Sequence, residues 1–175
     1  MDTTQPNDAD APRGSDKKEA YHRSREEMIK PFNFRRPADI PSDVKAFVRL
    51  AATDNLSCNV QIINEGGDNG LHYHANMDSL FYVLKGLVTV YGPEDKTIGT
   101  FGPNQGCSMP AGARYWFEKT GDEEAWMLHV TSLPKGRAMA KRILVEEGAD
   151  GDLKTLHYDG DTHQVVPGKR RPSAD

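Results

Sequence analysis

The chain has little of what several protein classes require. Cysteine occurs only twice in 175 residues, at Cys58 and Cys107, which is too few for a disulfide framework. No apolar run approaches the ~20 residues of a membrane-spanning helix. The first residues, MDTTQPNDAD, also lack the apolar stretch of a secretory signal peptide. These absences predict a cytoplasmic protein that keeps its thiols reduced and buried and has no membrane partner.

Positive charge is not in excess either. The chain has 22 Lys and Arg against 26 Asp and Glu, which gives a formal net charge of −4. Nucleic-acid binding needs clustered basic side chains that neutralise phosphates, whereas the basic run at residues 169–171 is short and lies in a polar tail. The composition therefore predicts no nucleic-acid partner, and a small molecule is the expected one.

The apolar residues that are present concentrate in the middle of the chain. Residues 1–36 are polar and predict a partly disordered arm, with a short helix over residues 17–29. Residues 40–147 hold most of the core material and predict one folded domain. Residues 148–175 are again polar and predict a tail.

The folded region has the sequence pattern of a β protein. Short runs rich in Val, Ile, Phe, Tyr and Trp alternate with Gly, Pro, Asn and Asp, and the gaps are too short for crossover helices. The nine predicted strands span residues 44–50, 58–63, 71–75, 80–85, 87–91, 97–101, 107–109, 115–119 and 125–133. This spacing predicts an all-β antiparallel sandwich or barrel. Apolar residues four apart favour a closing helix over residues 137–147, and a closing strand is the alternative.

The most specific local feature is the sequence His72-Tyr73-His74. Side chains two residues apart on a strand point to the same face, so both imidazoles can bind one metal ion. Two histidines at this spacing also occur by chance as structural residues, and the flanking sequence has to decide between the two interpretations.

The flanking residues resemble the cupin superfamily. Its first motif reads G-x5-H-x-H-x3,4-E-x6-G and its second reads G-x5-P-x-G-x2-H-x3-N, and the resemblance covers roughly residues 59–130. The matching positions are Gly66, His72, His74, Gly86, Pro110 and Gly112. The resemblance implies a small double-stranded β-helix, or jelly-roll barrel, with a metal near its mouth.

The chain also departs from both motifs. The position of the glutamate ligand is taken by Ser79, while Asp78 lies one residue earlier and has the opposite strand parity. The position of the second-motif histidine is taken by Tyr115, and that of the asparagine by Lys119. Two of the four usual metal ligands have therefore changed.

Two explanations of these changes compete. One is an altered metal site, in which His72 and His74 are completed by Asp78, Tyr115 or His129. Two imidazoles with a carboxylate and open positions suit one divalent transition metal ion, with Fe(II) as first candidate and Mn, Ni or Zn as alternatives. The other explanation is loss of the metal, with the two histidines kept as part of a polar pocket.

The resemblance implies a metal-dependent enzyme that acts on a small organic substrate, aromatic substrates included, most simply by an oxygenase-type reaction. Tyr115 and His129 are the candidates for moving a proton. The residues with the strand parity to line a substrate pocket are Gln61, Phe81, Val83 and Phe117. The alternatives are a non-redox isomerase or lyase and a ligand-binding protein without catalysis. A homodimer is the expected assembly, since cupins commonly pair through sheet edges or terminal segments.

Overall fold

The computed structural model describes residues 14–133, 142–145 and 154–167. The chain divides between Pro31 and Phe32 into two units. The first contains helix α1 (Ser15–Glu26), which confirms the predicted short helix. An ion pair between Glu19 and Arg23 at 3.1 Å supports it on an exposed surface. Within the described ranges, no helix has the length and apolar character needed to cross a bilayer.

The second unit is built from strands. Its described residues form β1 (Val44–Ala52), β2 (Leu56–Ile63), β3 (Gly67–His74), β4 (Ser79–Lys85), β5 (Val88–Tyr91), β6 (Thr97–Phe101), β7 (Gly106–Met109), β8 (Tyr115–Lys119), β9 (Ala125–Ser132), β10 (Arg142–Leu144) and β11 (Lys154–Asp159), with one 3-10 turn at Pro93–Asp95. All nine strands predicted from the sequence are present, so the pattern of apolar runs and turn residues is confirmed.

The strands make two sheets. The six-stranded sheet has the order β11-β1-β2-β9-β4-β7, and the five-stranded sheet has the order β10-β3-β8-β5-β6. Neighbouring strands pair antiparallel, except that β1 and β11 are parallel. Strands distant in sequence, such as β2 and β9 or β3 and β8, are neighbours in space. This is a double-stranded β-helix, and the fold prediction is confirmed.

Alternation along the strands creates a core between the two sheets. One face of β4 contributes Phe81 and Val83, which are 2% and 1% exposed. The facing strand β8 contributes Phe117, which is 1% exposed. Burying an apolar side chain of this size stabilises the fold by about 1.5–3 kcal/mol. These inward-facing side chains of β4 and β8 therefore stabilise the barrel.

A second core lies on the outer face of the six-stranded sheet. Val48 and Val60 face each other across β1 and β2 and are fully buried. The segment before β1 adds an edge-to-face contact between Phe34 and Trp126, with ring centroids 5.3 Å apart. The chain therefore covers part of this outer face with residues that precede β1.

Two strands lie where the sequence predicted other structure. Arg142–Leu144 forms strand β10 on the edge of β3, which selects the closing strand over the closing helix at these residues. Lys154–Asp159 falls in the predicted polar tail, yet it pairs with β1 because Leu156 and Tyr158 alternate onto the outer core. The rest of residues 134–153 and residues 168–175 lie outside the described ranges.

The motif glycines are explained by backbone conformation. Gly66, Gly86 and Gly112 adopt positive φ angles of 62°, 72° and 83°, a region that favours glycine. At Gly86 a Cβ atom would also lie 2.8 Å from the carbonyl oxygen of Glu124. The Gly112 N–H donates to the carbonyl of His74 at 2.8 Å, which ties the turn before β8 to the strand with the histidine pair.

Candidate functional site

The histidine pair lies on the inner face of β3. The ring centroids of His72 and His74 are 5.5 Å apart and their planes are nearly perpendicular, at 87°. His72 is 1% exposed, and its Nδ1 lies 2.7 Å from the carbonyl oxygen of Gly70. A carbonyl oxygen only accepts, so Nδ1 carries the proton and the lone pair of the neutral ring lies on Nε2. The backbone of β3 thus sets both the orientation and the tautomer of His72.

Tyr115 completes this side of the barrel. It is the first residue of β8 and is paired directly with His72 across the two strands. The two rings are 4.6 Å apart between centroids, and Tyr115 is 3% exposed. The predicted proton-transfer residue is therefore packed against the predicted metal ligand. We call the set of His72, His74 and Tyr115 the β3–β8 wall.

The opposite side of the barrel carries a hydrogen-bonded chain of three side chains. The Nε2 of Gln61 lies 3.0 Å from Nδ1 of His129, and the Nε2 of His129 lies 3.2 Å from Oγ of Ser79. With the Gln61 amide donating to Nδ1, the neutral imidazole donates from Nε2 to the Ser79 hydroxyl. All three residues are buried. We call Gln61, Ser79 and His129 the β2–β9–β4 wall.

Phe81 connects the two walls. Its ring stacks on His129 with centroids 4.5 Å apart, and it contacts Tyr115 edge-on at 5.6 Å. Phe117 lies against the same ring at 5.7 Å, and Val83 is buried in the same apolar cluster. Of the four residues predicted to line a pocket, Gln61 and Phe81 directly contact a histidine, while Val83 and Phe117 belong to the core around them.

Asp78, the predicted carboxylate ligand, has a different environment. Its side chain lies near the surface, and Oδ1 accepts a hydrogen bond from the Ala111 N–H at 2.9 Å, which fixes the turn of the second motif. The parity that buries Ser79 directs its neighbour Asp78 away from the interior. Among the residues that the structure describes, no three His, Cys, Asp or Glu side chains form a metal-binding group.

The donor set that the structure offers a metal is therefore a pair of imidazoles. His72 fits this role because its Nδ1–H is bound to a backbone carbonyl, the outer-shell contact that metal-binding histidines usually have. His74 shares its face and lies next to it. The phenol of Tyr115 packs against His72 and is the oxygen donor of this wall. These residues fit a transition metal that keeps several positions for water or substrate.

Arg142 is a site residue that the sequence analysis missed. It pairs directly with His74 across β3 and β10, so both side chains lie on the same face. Its Nη2 donates to the carbonyl of Gly70 at 3.2 Å, the same oxygen that accepts from His72. No local sequence pattern indicates this role, because only a strand at Arg142–Leu144 places the guanidinium beside the histidines.

A buried cation, Lys45, lies on the inner face of β1. Lys45 is 5% exposed, and its Nζ lies 5.3 Å from the ring centroid of Phe47 and 5.4 Å from that of Phe117. Such contacts with aromatic faces stabilise a cation. Cys58 is buried, as predicted, whereas Cys107 is half-buried, and burial raises the pKa of both thiols.

Comparison with known proteins agrees with the geometry of the barrel. Residues 59–131 match the family model of the cupin domain. No curated protein matches the chain. The TT1209 protein of Thermus thermophilus is 24% identical over 60% of this chain and 96% of its own, with a TM-score of 0.50.

Two further solved structures resemble parts of this chain. KdgF from Halomonas sp. is 16% identical over 62% of this chain and 97% of its own, with a TM-score of 0.49. A sugar phosphate isomerase from Silicibacter pomeroyi DSS-3 is 20% identical over 46% of this chain, with a TM-score of 0.41. The chain spans about half, 52%, of that isomerase. At these identities the likeness concerns the fold alone.

Proposed function

We propose that this chain, which belongs to the cupin superfamily, is a metal-dependent enzyme that acts on a small organic substrate. The first reaction class is oxygenase-type, with Fe(II) as the first metal. His72 and His74 would hold the metal, and Tyr115 and His129 would handle protons. The observation that carries the proposal is the backbone anchor of His72, whose Nδ1–H···O contact of 2.7 Å directs the Nε2 lone pair away from Gly70.

The proposal assigns different tasks to the metal and to the protein. A bound divalent transition metal would polarise a substrate oxygen and, as Fe(II), would supply electrons to dioxygen. Tyr115, whose ring packs against His72, can donate a proton from its hydroxyl to a substrate oxygen or accept a hydrogen bond from a substrate hydroxyl. His129 can pass its Nε2 proton to the Ser79 hydroxyl, 3.2 Å away, as that hydroxyl gives its own proton to a substrate oxygen.

Burial of both walls supports chemistry that excludes water. His72, Tyr115, Ser79 and His129 are between 1% and 9% exposed. In such surroundings hydrogen bonds and charges act more strongly on a reacting group than in bulk water. The stacked ring of Phe81 keeps the His129 imidazole in place from one side.

A non-redox isomerase or lyase is the second candidate, and the placement of Asp78 favours it. The carboxylate of Asp78 is engaged with the Ala111 N–H, and the usual glutamate position holds Ser79. Without a carboxylate ligand, a metal acting as a Lewis acid is the simpler use of two imidazoles. Turnover with Zn(II) or Mn(II) in the absence of oxygen selects this candidate, whereas turnover that requires Fe(II) and oxygen selects the first.

Elemental analysis of purified protein tests the proposal. Protein purified without chelator and reconstituted with Fe(II), Mn(II) or Zn(II) is expected to hold about one equivalent of metal. The double variant His72→Ala, His74→Ala should retain less than about a tenth of that amount. The control His22→Ala changes an exposed histidine of α1 and should match the wild type. Wild-type protein that takes up no metal under any of these conditions would overturn the proposal.

A further inference from the structure

Two buried amide oxygens on β2 accept no hydrogen bond from the residues that the structure describes. They are Oδ1 of Asn59 and Oε1 of Gln61, and both atoms are shielded from solvent. Gln61 as a whole is 3% exposed. An unsatisfied buried acceptor costs about 1–3 kcal/mol, so ordered water or a bound ligand has to supply donors to these two oxygens.

Both amides point toward the barrel interior beside His129. Asn59 and Gln61 are two residues apart on one strand, so their side chains share a face with a spacing of about 6.6–6.8 Å. Asn59 pairs with His129 across β2 and β9. The amide nitrogen of Gln61 donates to His129 Nδ1 at 3.0 Å, and its oxygen has no donor among the described residues.

The charges of the interior restrict which donor fits. The guanidinium of Arg142 lies on the same face as His74. A ligand ammonium would be repelled by this guanidinium, whereas a neutral hydroxyl can donate to an amide oxygen at no such cost. A carboxylate on the same ligand would be attracted to Arg142, since guanidinium groups bind carboxylates with two parallel hydrogen bonds.

We propose that the site binds a hydroxylated carboxylate, with hydroxyl groups donating to Asn59 and Gln61 and the carboxylate attracted to Arg142. This inference rests on the proposed function, because it takes the barrel interior as the place where the small organic substrate binds. It adds the substrate class, which the histidine pair alone does not specify. The Gln61 amide then has two roles, orienting His129 through its nitrogen and binding substrate through its oxygen.

Isothermal titration calorimetry on the full chain, with matched pairs of carboxylates, tests the substrate class. D-gluconate, L-tartrate and D-galacturonate are compared with hexanoate, succinate and cyclohexanecarboxylate, which lack the hydroxyl groups. At least one hydroxylated member should bind about tenfold or more tightly than its partner, as expected for two gained hydrogen bonds. Sorbitol, which has hydroxyls and no carboxylate, should bind more weakly than gluconate. Equal affinity within every pair, or no binding of any hydroxylated member, overturns the inference.

A variant of Asn59 tests whether this residue causes the preference for hydroxylated ligands. Asn59→Leu removes one acceptor at nearly constant volume and should weaken the hydroxylated ligand about tenfold while leaving its deoxy partner unchanged. Asn64→Leu is the matched control, because the Asn64 amide donates to the carbonyl of Pro41 at 3.1 Å, outside the site. If Asn59→Leu does not fold, the ligand pairs on wild-type protein still decide the question. An equal loss for both members of a pair contradicts recognition through hydroxyls.

The same samples separate this inference from the proposed function. Each titration is run on chelator-treated and on metal-reconstituted protein, with the metal content measured in parallel. If the protein binds metal but shows no preference for hydroxyls, the inference is overturned and the proposed function stands. If the protein prefers hydroxylated carboxylates but takes up no metal, the proposed function is overturned and the inference stands.

Discussion

The two walls of the barrel hold their histidines in different ways. His72 is fixed by the backbone, through its Nδ1 contact with the Gly70 carbonyl. His129 is fixed by side chains, with Gln61 at one ring nitrogen and Ser79 at the other. A backbone carbonyl only accepts, so Nδ1 of His72 carries the proton, whereas the Gln61 amide nitrogen only donates, so Nδ1 of His129 carries the lone pair and its Nε2–H faces the Ser79 hydroxyl, which can both accept and donate. The first suits a metal ligand and the second suits a group that moves protons.

Phe81 contacts both walls of the barrel. Its replacement should have the largest effect, because the ring is 2% exposed and contacts Tyr115, Phe117 and His129. Phe81→Ala should lower the free energy of unfolding by about 3–5 kcal/mol, measured by urea denaturation. Phe32→Ala is the matched control, since Phe32 is 52% exposed and should cost less than about 0.5 kcal/mol. Similar losses for both variants would show that Phe81 does not hold the walls together.

Replacing His129, the histidine of the β2–β9–β4 wall, should separate metal binding from proton transfer. His129→Ala is expected to keep the metal content of the wild type within about twofold, because His72 and His74 are untouched. Turnover should fall about 100-fold or more, the usual contribution of a proton-transfer group. Ser79→Ala should keep the metal as well, and should reduce turnover less. Loss of metal in His129→Ala would place this residue among the ligands and remove the difference between the walls.

A half-buried ion pair outside both walls, between Arg36 and Glu124, provides a reference for the pH dependence of stability. Arg36 and Glu124 lie 2.8 Å apart, and Trp126 also donates to the Glu124 carboxylate. Burial alone would raise the pKa of Glu124, but the hydrogen bonds from Arg36 and Trp126 outweigh it, so this pKa is lowered. The stabilisation is therefore present above the unfolded-state pKa of about 4.3 and is lost as the pH falls through the lower folded-state pKa.

Glu124→Gln tests this reference pair. The variant should be less stable than the wild type at neutral pH by about 1–3 kcal/mol, the range for hydrogen bonds to a charged group. The difference should shrink as the pH is lowered from about 5 to 2, since the wild-type carboxylate then becomes protonated. Urea denaturation across this range measures it, and the metal content should stay unchanged at neutral pH. A constant difference at every pH would show that ionisation of Glu124 does not contribute.

The smallest expected effect concerns the cysteines. Burial raises the pKa of both thiols, so Cys58 and Cys107 should react with iodoacetamide at least about tenfold more slowly than in the unfolded chain. Mass spectrometry of protein labelled with and without guanidinium chloride measures the two rates. Rapid labelling of the folded protein at either position would show that the thiol takes part in chemistry next to the walls.

The strands were predictable because their pattern is local. Alternating apolar residues such as Phe81 and Val83 define the inward face of β4 from sequence alone. β11 was missed because Leu156 and Tyr158 are two apolar residues in a polar stretch, and only pairing with β1 gives them a face to cover. A local sequence pattern does not show which distant strands pair with each other.

The site was predictable in part for the same reason. His72 and His74 share a strand, so their common face follows from spacing. Ser79, Gln61 and His129 come from three strands, and their contacts depend on the register of β4, β2 and β9. The environment of Asp78 followed from parity, but its contact with Ala111 required the turn. The homodimer, the cytoplasmic location and the lack of a nucleic-acid partner stay predictions.

We propose that the β3–β8 wall binds a metal and that the β2–β9–β4 wall does not. Long-range ¹H–¹⁵N spectra of the imidazole nitrogens, recorded before and after addition of about one equivalent of Zn(II), test it most directly. The resonances of His72 Nε2 and of one nitrogen of His74 should shift on coordination. Nδ1 of His72 should stay protonated, and both nitrogens of His129 should stay unchanged. Unshifted His72 and His74 resonances, or coordination of His129, would contradict it.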